Sequence, residues 1–524
     1  MSKPKKNVKA AARPASTPKA AGKKRLLPPL KPAQVKVGIF LLLYVFCTFI
    51  YGDVFARAEQ ESFVCADAEA MKFVLDQPFG YLVWLGRYLL LVYKSKWTGG
   101  LVLAALLTAT ACQLDYIFRI PAAWRGVSFL VPFGLLAWFA SKGTLLYHMA
   151  EPGWVILLPL LVFLCCFAVA CCVRLFRKRS SAPLQGSSWK GAAVALIAFC
   201  GLTFYASYVQ QNAVLTARMQ NRLFRQDWEG MVSDGLAARQ PSRPVAAYYA
   251  VGLLRDGSLL DGLFNIPYNF PRTNLNKNLN RNEEYGVFVT DCDFEAGLVQ
   301  VAYHDALERT VMHGPALYRY KRMALCAIMM QERELAEKYL RIIECTPFER
   351  AFVEKYRPLA QDPTLIDSDE ELAAVKQLAP MEDKFEQHYR RPAFLGYNIG
   401  LESGSNETLY TSIATCLYSK NLAALLPRLN VLRQRKQSFP EAVQQAIACL
   451  AIKRPEVARE FPVSQFMQNT LQSFLIDAKE YGKDKDKRRE GLKDRWLGSY
   501  IYYYYCENND SIATGKAQTG SGVN

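Results

Sequence analysis

The sequence is poor in histidine, and its four histidines, His148, His304, His313 and His388, include no pair spaced four apart. His304 and His313 stand nine apart, at opposite phases of a helix. Metal binding by histidines on one helical face is therefore not expected. The fourteen cysteines contain no C-x-x-C. Cys165-Cys166 and Cys171-Cys172 crowd one apolar segment, where small apolar packing suits them better than zinc ligation. Six more, Cys292, Cys326, Cys345, Cys416, Cys449 and Cys506, lie in the later, polar half. An oxidising compartment permits such an even set to pair, but helical packing does not need bridges, and isolated buried thiols are the expectation. No Gly-Lys-Ser/Thr phosphate loop and no G-x-S-x-G are present; Gly396, Gly400 and Gly404 recur without a preceding strand. Neither a cofactor nor a metal is expected, and no motif supports an enzyme.

Acid is missing from the N-terminus. Residues 1–36 carry eleven Lys and Arg and no Asp or Glu. The net charge of +17 thus divides into +11 on this arm and +6 on the rest, where 53 bases face 47 acids. The arm is rich in Lys, Ala and Pro and has too little apolar surface to offset the entropy of ordering, so it is read as disordered. Its composition is that of a nucleic-acid tail, but the adjoining segment gives the bases another role. Residues 37–55 (VGIFLLLYVFCTFIYGDVF) are apolar up to Asp53 and long enough to span a bilayer. A basic arm beside a first span holds the N-terminus in the cytoplasm and lies against anionic lipid headgroups. The bilayer and those headgroups are the expected partners of the arm; nucleic acid is not.

Further apolar segments at residues 98–118, 126–141, 153–173 and 191–208 read as spans. Residues 79–93 (FGYLVWLGRYLLLVY) are short and contain Arg87. They form a tilted span, a re-entrant turn or an interfacial helix with a snorkelling arginine. The count is accordingly five or six. The basic run Arg174–Arg179 favours five, because it then shares the cytoplasmic side with the arm and leaves the C-terminal region outside. The location expected is a bacterial inner membrane, multi-pass, with a periplasmic C-terminal domain. The acidic stretch after the first span, with Asp53, Glu59, Glu61, Asp67 and Glu69, is external in either version.

Long apolar runs are absent after Asn212. Residues 212–506 are spaced for amphipathic helices, and 507–524 form a polar, flexible tail. A helix from Trp228 ends near Pro241, and a second from Pro244 stops at Gly257. Similar pairs fall at 315–330 with 332–345 and at 407–418 with 421–434. Trp near the start, small residues in the second helix and Gly between units suit a helix–turn–helix repeat of tetratricopeptide type, though the spacing is irregular. The fold class is all-α: a multispan helical membrane domain followed by a soluble repeat-like domain.

Several ordered motifs carry a resemblance: Gln77-Pro78-Phe79-Gly80-Tyr81, Trp97-Thr98-Gly99-Gly100, Asp227-Trp228, the run from Leu253 to Leu259 with Leu263-Phe264, and Phe439-Pro440-Glu441-Ala442. In this order they resemble an uncharacterised family of integral membrane proteins from Bacteroidota. The resemblance implies a multispan N-terminal region and a tetratricopeptide-like C-terminal region, and it brings no activity with it.

Two functional classes remain. Helix pairs present a surface for a protein partner in the cell envelope, with Trp228, Tyr248, Trp496 and Tyr502 as aromatic contacts. The other class is an envelope lipid- or sugar-handling enzyme or a transporter. There Asp53, just beyond the first span, resembles the general base of multispan glycosyltransferases that use polyprenyl-linked sugars. The bland alternative for Asp53 is one acid among several in a solvated loop.

Overall fold

The computed structural model describes residues 31–67, 69–148, 150–176, 189–270, 285–380 and 404–507. The arm up to residue 30, most of the basic run after Arg174, His388, Gly396, Gly400 and the tail from residue 508 lie outside the described residues. The described residues are helical and contain no strand, the all-α class that the apolar periodicity implies.

Among the described residues, five helices are long and apolar enough to cross a membrane: Pro32–Ile50, Lys96–Phe118, Ala122–Lys142, Trp154–Phe176 and Trp189–Val209. The first opens on Pro32, whose missing N–H had no partner at that position, while the Gln34 side chain accepts the Lys31 N–H at 3.0 Å. Val35, Ile39 and Leu43 form its buried stripe, and Val37, Leu41 and Val45 face outward as lipid requires. A side chain at Gly100 would put its Cβ 2.1 Å from the Thr48 hydroxyl, so glycine there lets the first two spans touch. Lys36, counted with the arm, pairs instead with Asp115 of the second span at 2.8 Å. The third span was the shortest in sequence; eight residues of 3-10 helix, Ala122–Phe129, lengthen it, since each rises about 2.0 Å against 1.5 Å in an α-helix.

The segment 37–55, expected as one span, is divided. Its helix ends in a π turn at Phe46–Ile50, and a separate helix, Gly52–Gln60, starts after Tyr51. The ambiguous segment 79–93 is a helix of eleven residues, Gly80–Leu90, followed by a 3-10 turn. At roughly 16 Å it is too short to cross the hydrocarbon alone. Tyr81, Leu85 and Tyr88 make its exposed stripe, while Arg87 points inward and is 5% exposed. Arg87 does not snorkel. It grips Glu151 with two bonds of 2.8 and 2.7 Å and reaches the carbonyls of Phe63 and Pro315 at 3.4 Å. Gly86 and Gly153 make this possible: a Cβ on Gly153 would lie 2.9 Å from the Arg87 backbone nitrogen.

The polar half is built of helix pairs. Trp228–Leu236 is capped by Asp227, which accepts the Gly230 N–H at 3.0 Å, and packs on Arg243–Asp256, which Gly257 ends at φ 78°. Leu317–Met329 pairs with Arg333–Glu344, and Asn406–Tyr418 with Leu422–Gln434. These pairs do not stack in chain order. Residues 215–296 share one core with 409–506, and 294–375 form another. The last helix, Tyr500–Cys506, brings Tyr503 to 4.7 Å from the Phe264 ring.

Arg87 joins four stretches of chain, and removing it leaves a carboxylate and two carbonyls without their donor. Arg87→Ala should cost about 3–5 kcal/mol, seen as a lower Tm in detergent. Arg87→Lys should recover only part, because an ammonium cannot make the two-pronged contact. An unchanged Tm for Arg87→Ala would refute this role.

Candidate functional site

The helix Gly52–Gln60 and the turn after it carry Asp53, Arg57 and Glu61 at a spacing of four, which aligns them on one helical face, with Glu59 offset from them. The sequence suggested a solvated acidic loop. Asp53, Glu59 and Glu61 are instead buried, because the polar half of the chain is seated on this helix. Arg57 is fully buried, bonded to Glu61 at 2.9 Å, with its guanidinium 4.1 Å from the centre of the Tyr318 ring. Glu61 also meets Arg319 at 3.4 Å. Glu59 takes Lys94 at 3.2 Å, Lys94 bonds Glu349 as well, and Glu349 takes Lys321 at 2.6 Å.

Burial raises the Glu59 and Glu61 carboxyls above the usual range, against the pull of Lys94 on one and Arg57 on the other. The two lysines at Glu349 move in opposite directions. Burial drags Lys321 down. It works the same way on Lys94, but Glu59 and Glu349 together outweigh it and hold that ammonium above its ordinary value.

A second ionic cluster lies deeper. Arg322 contacts Asp291 at 2.9 Å, Glu295 at 3.2 Å and Glu371 at 3.6 Å. Asp291 also accepts the Tyr248 hydroxyl at 3.0 Å. Between the two clusters and the second span opens a cleft of about 660 Å³. Asp53, Lys96 and Trp97, near the ends of the first two spans, line it together with Arg225, Phe352 and Lys355 of the polar half. Trp97, at the start of the second span, is half exposed. The cleft therefore offers cations and aromatic faces at the level where a span begins. This lining suits recognition of a charged group with an apolar neighbour, and within it Tyr356 donates its hydroxyl to Glu371 at 3.0 Å.

Asp53 stands in the cleft wall, where it contacts Lys96 at 3.4 Å and Arg218 at 3.5 Å. The four aromatic residues expected to form a contact surface are scattered and turned inward. Tyr248 is fully buried, and its hydroxyl serves Asp291. Trp228 is half-buried under the Arg255 guanidinium, 5.0 Å from the ring centre. Trp496 donates its indole N–H to Asp477 at 2.8 Å and packs edge-on against Phe474. Tyr502 is buried and donates to the Arg489 carbonyl at 2.8 Å. Hydroxyl and indole groups that find partners in the interior let aromatic runs close a core, which is their role here. Arg57, Arg322 and Glu349 carry no signal in the sequence analysis; the four-residue spacing of Asp53, Arg57 and Glu61 is the one that could have found Arg57. Among the described residues no cluster of His, Cys, Asp and Glu could hold a metal ion.

A family described as a family of unknown function (DUF6057) matches residues 30–151 and 137–507, and the chain belongs to it. No curated protein and no solved structure matches the chain.

Glu295 gives this ionic interior a pH signature. Burial, opposed by Arg322 and Arg255, pushes its carboxyl up to about 7. A carboxyl with a higher pKa folded than unfolded adds stability that is complete below about 4.3 and lost as pH rises through about 7. Glu59 and Glu61 act in the same sense. The Tm in detergent should fall between about pH 5 and about pH 7.5, and Glu295→Gln should reduce that fall. An identical slope in the variant would count against it.

Proposed function

We propose, starting from this membership of a family without an assigned activity, that the chain is a membrane-fixed interaction platform of the bacterial cell envelope. The observation that carries the reading is the seating of the polar half: Arg319 pairs with Glu61, just after the first span, and Glu349 pairs with Lys94, which also holds Glu59. A domain on a free linker samples many orientations, whereas one held by buried ion pairs presents a fixed face to whatever approaches along the bilayer. Its tetratricopeptide-like helix pairs are closed on themselves by the contact of Phe264 with Tyr503. They display the rim of the junction, where Phe348, beside Glu349 in the chain, is 76% exposed. The partner is an envelope protein. The arm adds attraction to anionic headgroups, and nucleic acid has no part in it.

The topology that goes with this reading has five crossings, a cytoplasmic N-terminus and a periplasmic domain in an inner membrane. It is supported by the mutual contacts of Phe63, Arg87, Glu151 and Pro315. Five crossings bring the loops after the first and third spans and the polar domain to one face, whereas a crossing at 79–93 separates them.

A second reading, handling of an envelope lipid or sugar, is favoured by the cleft beside Trp97 with Lys96 and Arg225 in its lining. The two readings differ in what touches the rim. A photoreactive residue in place of Phe348, in the full chain in its native membrane, should give a protein adduct of one defined mass. Adducts with lipid alone would transfer the assignment to the second reading. For the topology, Gln468 is an exposed site in the polar half. An impermeant thiol reagent should label Gln468→Cys from the outer face of spheroplasts; labelling only after lysis would reverse the orientation.

A further inference from the structure

The stretch just after the first span meets the polar domain at one more place, and the groups there are thiols. Phe63 and Cys65 are buried in a small apolar cluster with Met71, Val74 and Val83, against which Tyr320 and Ile342 pack. Phe63 stands edge-on to Tyr320 at 5.0 Å, and Tyr320 lies 6.2 Å from Tyr339. Tyr339 and Ile342 belong to the helix Arg333–Glu344, which has Cys345 as its C-cap. Steps of three along a helix keep 339, 342 and 345 on one side, the side turned toward residues 63–65. The Cys65 thiol accepts the Asp67 N–H at 3.4 Å and stands next to the thiol of Cys345. Both cysteines are free thiols in the structure, Cys65 buried and Cys345 exposed.

We propose that Cys65 and Cys345 are a redox pair that closes into a disulfide, covalently tying the segment after the first span to the polar domain. The exposed member is the point of entry. The Cys345 thiolate attacks a small-molecule or protein disulfide, a mixed disulfide forms at Cys345, and one thiol leaves. Cys65, already beside it, then attacks the Cys345 sulfur and displaces the second thiol. Two cysteine thiols are oxidised, one external disulfide is reduced to two thiols, and no other reactant is needed. Burial raises the Cys65 thiol above its usual range, so it is the poorer first nucleophile and the natural resolving partner. The other cysteines of the polar half, Cys292, Cys326, Cys416, Cys449 and Cys506, are buried and lack such an exposed entry point. The pairing is independent of the platform reading, since it concerns only how the two halves are joined.

The test uses the full chain in isolated native membranes, treated with glutathione disulfide, alkylated with N-ethylmaleimide and digested without reductant. A peptide pair joining Cys65 to Cys345 should account for most of the chain, and dithiothreitol should abolish it. In Cys65→Ser, Cys345 should remain as its glutathione adduct or its alkylated form, with no linked peptide. Oxidation should also raise the Tm of the unaltered protein, and Cys345→Ser, a change at an exposed position, should erase that rise while leaving the reduced Tm unchanged. If Cys345 of the unaltered protein stops at the glutathione adduct while Cys65 is alkylated, the two sulfurs do not meet and the pair is refuted.

Discussion

The cost of an unpaired charge away from water governs how this molecule holds together. Arg57, Glu59, Glu61 and Arg322 lie where isolated charges would cost several kcal/mol each. Each is tolerable because a counter-charge reaches it: Glu61 for Arg57, Lys94 for Glu59, Arg319 as well as Arg57 for Glu61, and three carboxylates for Arg322. The stretch after the first span and the polar domain are joined where Glu61, already paired with Arg57, also takes Arg319, and where Lys94 bridges Glu59 and Glu349. Hydrophobic contact alone would let the halves slide or part; these pairs fix distance and register as well, which apolar packing does less strictly.

The spans depend on a different rule, and the two rules meet at the junction. Within the bilayer, contact relies on close approach, hence glycine at 100 opposite Thr48. Just beyond it, the same chain changes to ion pairs and hydrogen bonds. Arg87 marks the change: its helix presents an aromatic and leucine stripe outward, while its guanidinium is turned in to a carboxylate and two carbonyls. The cleft lies along this boundary, with a half-exposed tryptophan and basic residues in its lining.

What could be read from the sequence was whatever is decided locally. The four later spans and most helix pairs follow from apolar length, from Asp227-Trp228 at a helix start and from Gly257 at a helix end, all features of a few neighbouring residues. The junction could not be read the same way. Composition made residues 53–69 look like solvated loop, because Glu59 finds Lys94 beyond another helix and Glu61 finds Arg319, 258 residues on. The Tyr500–Cys506 run was ambiguous for a related reason: aromatic residues serve a ledge and a core equally well, and only the position of Phe264 decides between them. The cleft combines both difficulties, being assembled from pieces distant in sequence around a helix whose burial no local pattern signals.

The separation of Glu61 from Arg319 has a meaning for biosynthesis. The two are 258 residues apart. At about 5–20 residues per second, the ribosome delivers Arg319 roughly 13–50 s after Glu61. The four later spans are made within that interval, so the membrane half must wait with Glu61 still without Arg319. Closing the junction is then a late event of maturation, and a chain stalled or cut before residue 319 would display at the bilayer surface the charges that the finished protein conceals.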